Sequence, residues 1–373
     1  MARPTRAEVD LGAVRANAAT LAALAGDAAL CAVVKADGYG HGATEVARAA
    51  VAGGAAWLAV ALVEEGLRLR ADGLTVPVLV LSEAPSDLLA DAAAAGLTPT
   101  VYSAEAIAAA GRAAGAEGRP WPVHLKVDTG MHRAGAPAEE VVELAQAVVD
   151  HPALALGGTW THLARADGPD EADAATTTAQ LARFGGVVDH LRAAGIDPGL
   201  LHAANSAGLL APPAARLDMV RCGIAVYGAP PSPALDGAAA LVPAMALTSE
   251  VTYVRSVPAG EGISYGHRWT AARDSRIALV PVGYADGVRR DLGLLGGEVL
   301  VGGVRRPVVG VVTMDQLLLD VTDGPEVGRG DEVVLLGRQG DDEITATEWA
   351  DRLGTISYEV LCAVSARVPR HHV

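Results

Sequence analysis

Eight short apolar runs, separated by alanine-rich stretches, most constrain how this chain folds. Each run has the length of a strand, and the stretches between the runs show helical periodicity and end near glycine or before proline. The runs occupy residues 30–35, 57–62, 76–82, 98–103, 123–129, 156–163, 200–206 and 218–224. Repeated strand–helix units of this number are typical of a closed parallel barrel, so we predict an α/β chain with a (β/α)8 TIM-type barrel. A doubly wound open sheet is the competing architecture.

The pattern changes after residue 228. Residues 229–243 are rich in proline and small residues, as linkers are. Beyond them, alternating β-branched segments with frequent glycine predict a mainly antiparallel β domain with hairpin turns at Gly302-Gly303 and Asp323-Gly324. We therefore predict two domains, a barrel over residues 1–238 and a β domain over residues 239–373.

Charge and cysteine usage exclude several classes of protein. The chain has 373 residues and a formal net charge of −15, without a basic cluster that would neutralise phosphates, which argues against a nucleic-acid partner. Its three cysteines are far apart and suit a reducing cytosol. The N-terminus lacks the pattern of a secretory signal, and the uncharged run at 49–63 is too short to span a membrane. We expect a soluble, cytoplasmic protein that acts on a small molecule.

Polar residues cluster where the predicted barrel strands end, which is where such barrels place their active sites. Outside the glycine-rich ADGYGHG segment after strand one they are Lys35, Lys126, Asp128, Thr129, Arg133, His162, Asn205, Ser206 and, on strand eight itself, Arg221. One such residue would be ordinary, but the repetition from strand to strand predicts a site. The histidines show no convincing ligand spacing, and we predict no metal.

Only two of the 29 basic residues are lysines, Lys35 and Lys126, which leaves 27 arginines. An arginine-biased genome could leave two lysines by chance, and a lysine at a strand end is ordinarily a solvated or paired surface charge. Lys35, however, follows the apolar CAVV, and a desolvated amine can lose its proton and attack a carbonyl, which a guanidinium cannot do. Ser206 and the amides near Gly223 lie where these barrels bind phosphate. A ligand with an aldehyde for this amine and a phosphate for this site is indicated, and pyridoxal 5′-phosphate combines the two.

Ordered motifs along nearly the whole chain resemble the alanine racemases. They run from RPTRAEVDL and AVVKADGYGHG through KVDTGMHRAG, THLARAD, HAANSAG and MVRCGIAVYG to GISYGHRW, VGYADG, TMDQ and ISYEVLCAVSARVPR. The resemblance implies a barrel followed by a β domain, a pyridoxal 5′-phosphate cofactor and a homodimer with shared active sites. Two positions depart from the family pattern, since many relatives carry arginine at Val311 and alanine at Gly38.

The resemblance also implies roles for individual residues. Lys35 corresponds to the lysine that forms the aldimine with the cofactor, and Arg221 to the partner of the pyridine nitrogen. Tyr265 corresponds to a second acid–base group, delivered by the other subunit and contacted by a histidine that matches His162. The remaining cofactor-binding positions are those that match phosphate ligands and their neighbour: Tyr39, Asn205, Ser206, Gly223, Ile224 and Tyr358.

Substrate contacts are implied in the same way. Arg133 matches an arginine beside the cofactor's phenolic oxygen, and Lys126 a lysine that is often carbamylated and then orients that arginine; a simple pair between Lys126 and Asp128 is the alternative. Tyr284 and Met314-Asp315 match residues of the substrate access path and carboxylate site, again from the partner subunit. Without the resemblance, Tyr284 would be taken for a packing residue.

We therefore interpret the chain as a cytoplasmic alanine racemase that interconverts L- and D-alanine by a two-base mechanism with Lys35 and Tyr265, supplying D-alanine for peptidoglycan. Three alternatives stay open. A decarboxylase of the same fold would not need Tyr265, a non-catalytic cofactor carrier would resemble the barrel alone, and a racemase of broader specificity would often carry a secretion signal.

Overall fold

The computed structural model describes residues 3–115, 119–211 and 215–373. The chain forms two compact units. One contains Val14–Gly38 and Ala43–Val242, and we call it the barrel unit. The other, the β unit, contains the chain up to Ala13, the segment Tyr39–Gly42, and Pro243–Val373. The sequence had grouped residues 1–238 together, whereas here the first residues of the chain group with its last third.

The barrel unit is built on eight parallel strands. After β1 (Arg6–Val9), which belongs to the β unit, they are β2 (Ala29–Val33), β3 (Trp57–Val60), β4 (Val78–Val80), β5 (Thr98–Val101), β6 (Trp121–Lys126), β7 (Leu154–Trp160), β8 (Leu200–His202) and β9 (Met219–Cys222). Neighbours pair in chain order from β2 to β8, and β2 also pairs with β9. Backbone bonds of 2.9 Å from Asp218 N to Leu201 O and from Arg221 N to Ala204 O join β8 to β9. The predicted barrel fold is confirmed.

Helices alternate with these strands. They are α1 (Leu11–Ala25), α2 (Lys35–Tyr39), α3 (Ala43–Ala52), α4 (Val63–Ala71), α5 (Leu89–Ala94), α6 (Ala104–Ala113), α7 (Val141–Val149), α8 (Glu171–Ala193) and α9 (Ser206–Leu210). Strands β4, β5 and β9 are buried along their whole length, as expected where helices cover a parallel sheet. Local capping sets helix starts; the Ser103 hydroxyl, for example, accepts a bond from Ala106 N at the start of α6.

The β unit contains the remaining strands. They are β10 (Met245–Glu250), β11 (Tyr253–Val257), β12 (Gly262–Ile263), β13 (Trp269–Thr270), β14 (Ser275–Val280), β15 (Glu298–Val301), β16 (Val304–Pro307), β17 (Leu317–Asp320), β18 (Glu332–Gln339), β19 (Asp342–Ile344) and β20 (Arg370–His372). The larger sheet has the order β16-β15-β18-β10-β1-β20 with β19 on β18, and a second sheet has the order β11-β14-β17. Only the β1–β20 pair is parallel within these two sheets, as far as the described residues show. Helices α10 (Ala346–Leu353) and α11 (Ser357–Ala363) complete the unit.

The two predicted hairpin turns have different outcomes. Gly302 and Gly303 both have positive φ and join the antiparallel strands β15 and β16, so that hairpin is confirmed. Asp323-Gly324 lies between β17 and β18, which belong to different sheets, so the hairpin predicted there is wrong. The chain bends at this point and Gly324 has a positive φ, but such a signal does not determine which strands pair.

Candidate active site

The cofactor lysine predicted from the sequence begins an unusual turn. Residues Ala36, Asp37, Gly38 and Tyr39 all have φ between 51° and 62°, which is the left-handed region. Each non-glycine residue there costs about 1–2 kcal/mol, so the surroundings must hold the turn. Glu65 does so by accepting a 2.6 Å bond from Ala36 N, and Gly38 N donates to Val34 O at 2.9 Å.

Gly38 fits this turn for two reasons. Its φ is +62°, and a Cβ at this position would lie 3.2 Å from Ala43 Cα. Glycine therefore removes both the backbone strain and a tight contact at a position where many relatives carry alanine.

Arg221 lies inside the barrel unit and is almost completely buried. Its guanidinium donates to Thr161 O at 2.9 Å, Ala203 O at 3.1 Å and His202 Nδ1 at 2.7 Å. Its Cζ also lies 4.5 Å from the centre of the Trp160 ring. Burial lowers the pKa of Arg221 to about 10, so the guanidinium remains a cation at neutral pH.

A pair of histidines supports Arg221 from within the barrel. Because arginine only donates, His202 Nδ1 must accept, which leaves the hydrogen of neutral His202 on Nε2. His202 Nε2 lies 2.9 Å from His124 Nδ1 and donates to it. Burial, and then the charge of Arg221, lower the pKa of His124 to about 3 and hold the pKa of His202 well below its usual value. Both imidazoles are therefore neutral.

Sequence reasoning missed both His124 and His202, which look like ordinary strand residues. The signal that could have identified His124 is Gly157-Gly158 in the middle of β7. A Cβ at Gly158 would lie 2.8 Å from His124 Cε1 and 2.7 Å from Leu200 O. Glycine inside a strand usually marks such a close approach.

The second lysine, Lys126, is buried at the end of β6. Its Nζ lies 4.6 Å from the centre of the Trp160 ring. Burial, followed by the charges of Arg133 and Arg221, lowers the pKa of Lys126 to about 8. Roughly a tenth of the amine is therefore uncharged at pH 7, and more of it as the pH rises.

Asp128, the alternative partner of Lys126, is engaged elsewhere. Its Oδ1 accepts backbone bonds of 2.9–3.1 Å from Gly130, Met131 and His132. Burial would raise its pKa, but these bonds and the His132 ring lower it overall. The ion pairs found in the described parts of the chain include none between Lys126 and Asp128.

His162 shows that the cationic side chains converge. Its Nδ1 lies 3.4 Å from a guanidinium nitrogen of Arg221. Burial lowers its pKa well below the usual value, and the charges that lower it further belong to Arg221, Arg133, Lys126 and Lys35, in that order. Five of the predicted site residues therefore lie within electrostatic reach of one another.

The predicted phosphate-binding residues of the barrel unit also meet. The Ser206 hydroxyl accepts bonds from Gly223 N at 3.0 Å and Ala225 N at 3.4 Å, which joins the start of α9 to the turn after β9. Asn205 caps α9 by accepting from Gly208 N at 2.9 Å, and Ile224 is buried. Tyr39 and Tyr358 belong to the β unit, where their ring centres are 6.0 Å apart.

The other predicted residues of the β unit are exposed. Tyr265 is 72% exposed, and Met314 and Tyr284 are also exposed. Backbone bonds of 3.0 Å from Tyr284 N to Thr313 O and from Ala285 N to Met314 O bring the Tyr284 turn beside Met314. Asp315 forms a 2.7 Å ion pair with Arg367. Tyr265 and Thr313 both line an open cavity of about 400 Å³. Because Thr313 also bonds the Tyr284 turn, Tyr265 and Tyr284 lie on the same surface of the β unit.

Within the described ranges, no set of three or more histidine, cysteine or acidic side chains could hold a metal ion. Of the helices in those ranges, none has both the length and the apolar composition needed to cross a membrane.

Comparisons with known proteins assign the chain to a family. The family model for the alanine racemase N-terminal domain matches residues 9–231, and that for the C-terminal domain matches residues 244–372. The chain is 48% identical to alanine racemase of Symbiobacterium thermophilum over 370 residues, covering 99% of this chain and 97% of the relative.

Solved structures agree with this assignment. Alanine racemase from E. faecalis superposes with a TM-score of 0.93 at 39% identity, and the enzyme from D-cycloserine-producing Streptomyces lavendulae with 0.92 at 38%. Each match covers 100% of this chain and 98% of the other. On the agreement of both family models, the relatives and the fold, this chain belongs to the alanine racemase family of racemase enzymes.

Proposed function

We propose that the chain uses pyridoxal 5′-phosphate to interconvert L- and D-alanine. The observation that carries this proposal is the convergence of Lys35, Arg221 and the cationic residues around His162 at the carboxyl ends of the barrel strands. Family membership supports the reaction, and the side chains support the cofactor. The Lys35 amine matches the aldehyde of pyridoxal 5′-phosphate, and the buried Arg221 guanidinium matches its pyridine nitrogen. The Ser206 hydroxyl, bonded to backbone amides, matches its phosphate.

The residues that would hold the cofactor divide by chemistry. Lys35 would bind its aldehyde carbon, and Arg221 would donate to its ring nitrogen. The phosphate ligands and their neighbour would be Tyr39, Asn205, Ser206, Gly223, Ile224 and Tyr358. When bound, pyridoxal 5′-phosphate supplies an electron sink that acidifies the α-proton of an amino acid.

Arg221 controls how strong that sink is. With a pKa of about 10 and hydrogen bonds to Thr161 O and His202, it holds its protons and donates a hydrogen bond instead of a proton. The ring nitrogen would then stay unprotonated, which weakens electron withdrawal and limits side reactions such as transamination. An Arg221→Glu variant with an unchanged transamination rate would contradict this role.

Racemisation requires a proton to leave Cα on one face and another to arrive on the opposite face, so it needs two acid–base groups. We assign these to Lys35 and Tyr265, with His162 as a neutral neighbour of the tyrosine. The exposure of Tyr265 supports its delivery to the site of a second subunit in a homodimer. A surface tyrosine with no role in packing is available for contact with another chain.

Alanine itself would be held by residues of both subunits. Arg133 would contact the cofactor's phenolic oxygen and the substrate carboxylate from the barrel, while Met314, Asp315 and Tyr284 would come from the partner's β unit. Lys126 would carry a carbamate that orients Arg133, since an uncharged amine takes up carbon dioxide and gives an anion suited to a guanidinium. The D-alanine formed would supply peptidoglycan.

The test is to incubate the purified holoenzyme with L-alanine and follow D-alanine by chiral separation, before and after borohydride reduction. We expect equal amounts of the two enantiomers at equilibrium before reduction, and no conversion after it. Absence of D-alanine in a protein with visible cofactor absorbance would contradict the reaction but keep the cofactor. Release of carbon dioxide with an active Tyr265→Phe variant would instead favour a decarboxylase.

A further inference from the structure

Ser264, the residue before Tyr265, has a backbone conformation that is unusual for a side-chain-bearing residue. Its φ is 59° and its ψ is −178°, a region occupied almost only by glycine. Gly266 and His267, which follow Tyr265, also have positive φ. Because Tyr265 is 72% exposed, packing does not fix the direction of its side chain. The backbone on either side of Tyr265 must therefore set that direction.

A single side-chain bond holds Ser264 in this conformation. Its hydroxyl donates to Val311 O at 2.8 Å, and Val311 is buried. The neighbouring Gly310 has a φ of +71°, and a Cβ there would lie 3.0 Å from Ser264 Cβ. The segment that accepts the bond thus approaches Ser264 closely and is itself held, since Val312 N donates to Arg290 O at 3.0 Å.

The acceptor is a backbone oxygen, so the bond does not depend on the side chain at position 311. The valine at position 311 therefore leaves this anchor of the Tyr265 segment intact. A glycine at 264 would adopt the same φ without strain but would have no hydroxyl to fix it. The serine therefore accepts backbone strain that glycine would avoid, and its hydroxyl fixes the backbone through the bond to Val311 O.

We propose that Ser264 is a positioning residue for Tyr265: its hydroxyl locks a strained backbone that aims the tyrosine. The inference rests on the proposed function, in which Tyr265 serves one face of the substrate and Lys35 the other. Its consequence is asymmetric. Loosening Ser264 weakens proton transfer at the Tyr265 face and leaves the Lys35 face unchanged.

The asymmetry is measurable because each enantiomer gives up its α-proton to a different group. In D2O, the Cα–H bond of one enantiomer breaks and the proton passes to the Lys35 amine, which already carries two solvent deuterons. If Tyr265 is misaimed, the opposite face is not protonated, and Lys35 returns a deuteron to the original face. That enantiomer then exchanges its α-proton for deuterium without inverting. The other enantiomer, whose α-proton must pass to Tyr265, is slow in both deuteration and inversion.

The experiment follows α-deuteration by proton NMR and inversion by chiral separation, starting from each enantiomer with holoenzyme. For Ser264→Ala we expect the ratio of exchange to inversion to rise about 10-fold or more from one enantiomer only, since small misplacements of catalytic groups cost up to about 100-fold. Ser264→Gly, which adopts the same φ without strain but lacks the hydroxyl, should show the same one-sided rise. Ser256→Ala, an exposed serine of the same unit, is the matched control and should leave both ratios unchanged.

A second readout does not depend on catalysis. In protein without cofactor, amide hydrogen exchange over residues 263–267 should be faster in Ser264→Ala than in wild type and unchanged in Ser256→Ala. Two results would overturn this inference alone. In the first, Ser264→Ala lowers inversion equally from both enantiomers. In the second, Ser264→Ala behaves as wild type although Tyr265→Phe raises the exchange-to-inversion ratio from one enantiomer only. A symmetric loss in Tyr265→Phe would overturn the two-base function and this inference with it.

Discussion

The two units present their candidate functional residues in opposite ways. In the barrel unit, Arg221, His202 and Lys126 are buried, and burial is the main cause of their lowered pKa values. In the β unit, Tyr265, Tyr284 and Met314 are exposed at its surface. The barrel unit therefore contains a buried cluster of polar groups, whereas the β unit displays its candidate residues to solvent. This contrast supports the proposal that the site is shared between two subunits.

The largest effect should come from the barrel side of this contrast. Replacing Lys35 with arginine removes the only amine proposed to bind the cofactor, and a guanidinium cannot replace it. We expect visible cofactor absorbance to vanish and racemisation to fall by about 10⁴-fold or more. Absorbance spectra and chiral assays measure both. Retention of activity would overturn the mechanism, and an unchanged circular dichroism spectrum would show that folding is intact.

The β-unit counterpart is Tyr265→Phe. Loss of one acid–base group should lower the rate of inversion by about 10²- to 10⁴-fold, with cofactor absorbance retained. Since the side chain is exposed, the melting temperature should not change. Tyr253→Phe, another exposed tyrosine of the β unit, is the matched control and should keep full activity. A cofactor-free Tyr265→Phe protein would contradict the separation of roles between the units.

Acid should affect the barrel unit through its buried imidazoles. Folded His124 has a pKa of about 3, whereas an unfolded histidine has one near 6.5, so below pH 6.5 the unfolded chain takes up a proton that the folded chain refuses. The free energy of unfolding should thus fall by several kcal/mol between pH 6.5 and 3, at about 1.4 kcal/mol per pKa unit.

The variant that tests this effect is His124→Phe, and His151→Phe is its matched control. His151 does not belong to the hydrogen-bond chain that links His124, His202 and Arg221. His124→Phe should lower the free energy of unfolding at pH 7 by about 1–3 kcal/mol, because His202 Nε2–H loses its acceptor. It should also flatten the acid dependence, as urea unfolding at several pH values would show. An acid dependence equal to that of wild type would contradict the assignment of His124 as a buried neutral group.

Lys126 should give the smallest effect. Above its pKa of about 8 the amine is mostly uncharged, so uptake of carbon dioxide should increase as pH rises through that value. We expect a carbamate signal in ¹³C NMR with labelled bicarbonate, absent in Lys126→Arg, and a loss of activity of about 10-fold in that variant. A signal of equal intensity in Lys126→Arg would place the modification elsewhere.

The sequence predicted the barrel closely because each strand is a local apolar run. All eight predicted runs overlap observed strands, and the strands from Trp57, Thr98 and Leu200 begin at the predicted residue. It did not separate β1 from the barrel, because that strand pairs with β10 and β20, whose residues are more than 230 positions away. Pairing over such distances leaves no local signal.

The same distinction holds for the site. Lys35, Arg221 and Ser206 were found because they lie at or near the ends of barrel strands, where barrels place function. His124 and His202 were not, because their roles arise only from a chain of hydrogen bonds across the barrel. The strain at Ser264 and the exposure of Tyr265 were equally invisible, since backbone angles and accessibility depend on the folded surroundings.

The most direct test of the shared site is to mix two inactive variants, Lys35→Arg and Tyr265→Phe, after unfolding and refolding them together. If one subunit's Tyr265 serves the other's Lys35, each mixed dimer contains one intact site. Random assembly should then restore about a quarter of wild-type activity, since about half of the dimers are mixed and each has one working site of two. No activity above that of the separate variants would contradict the account, because it would mean that Lys35 and Tyr265 of the same chain work together.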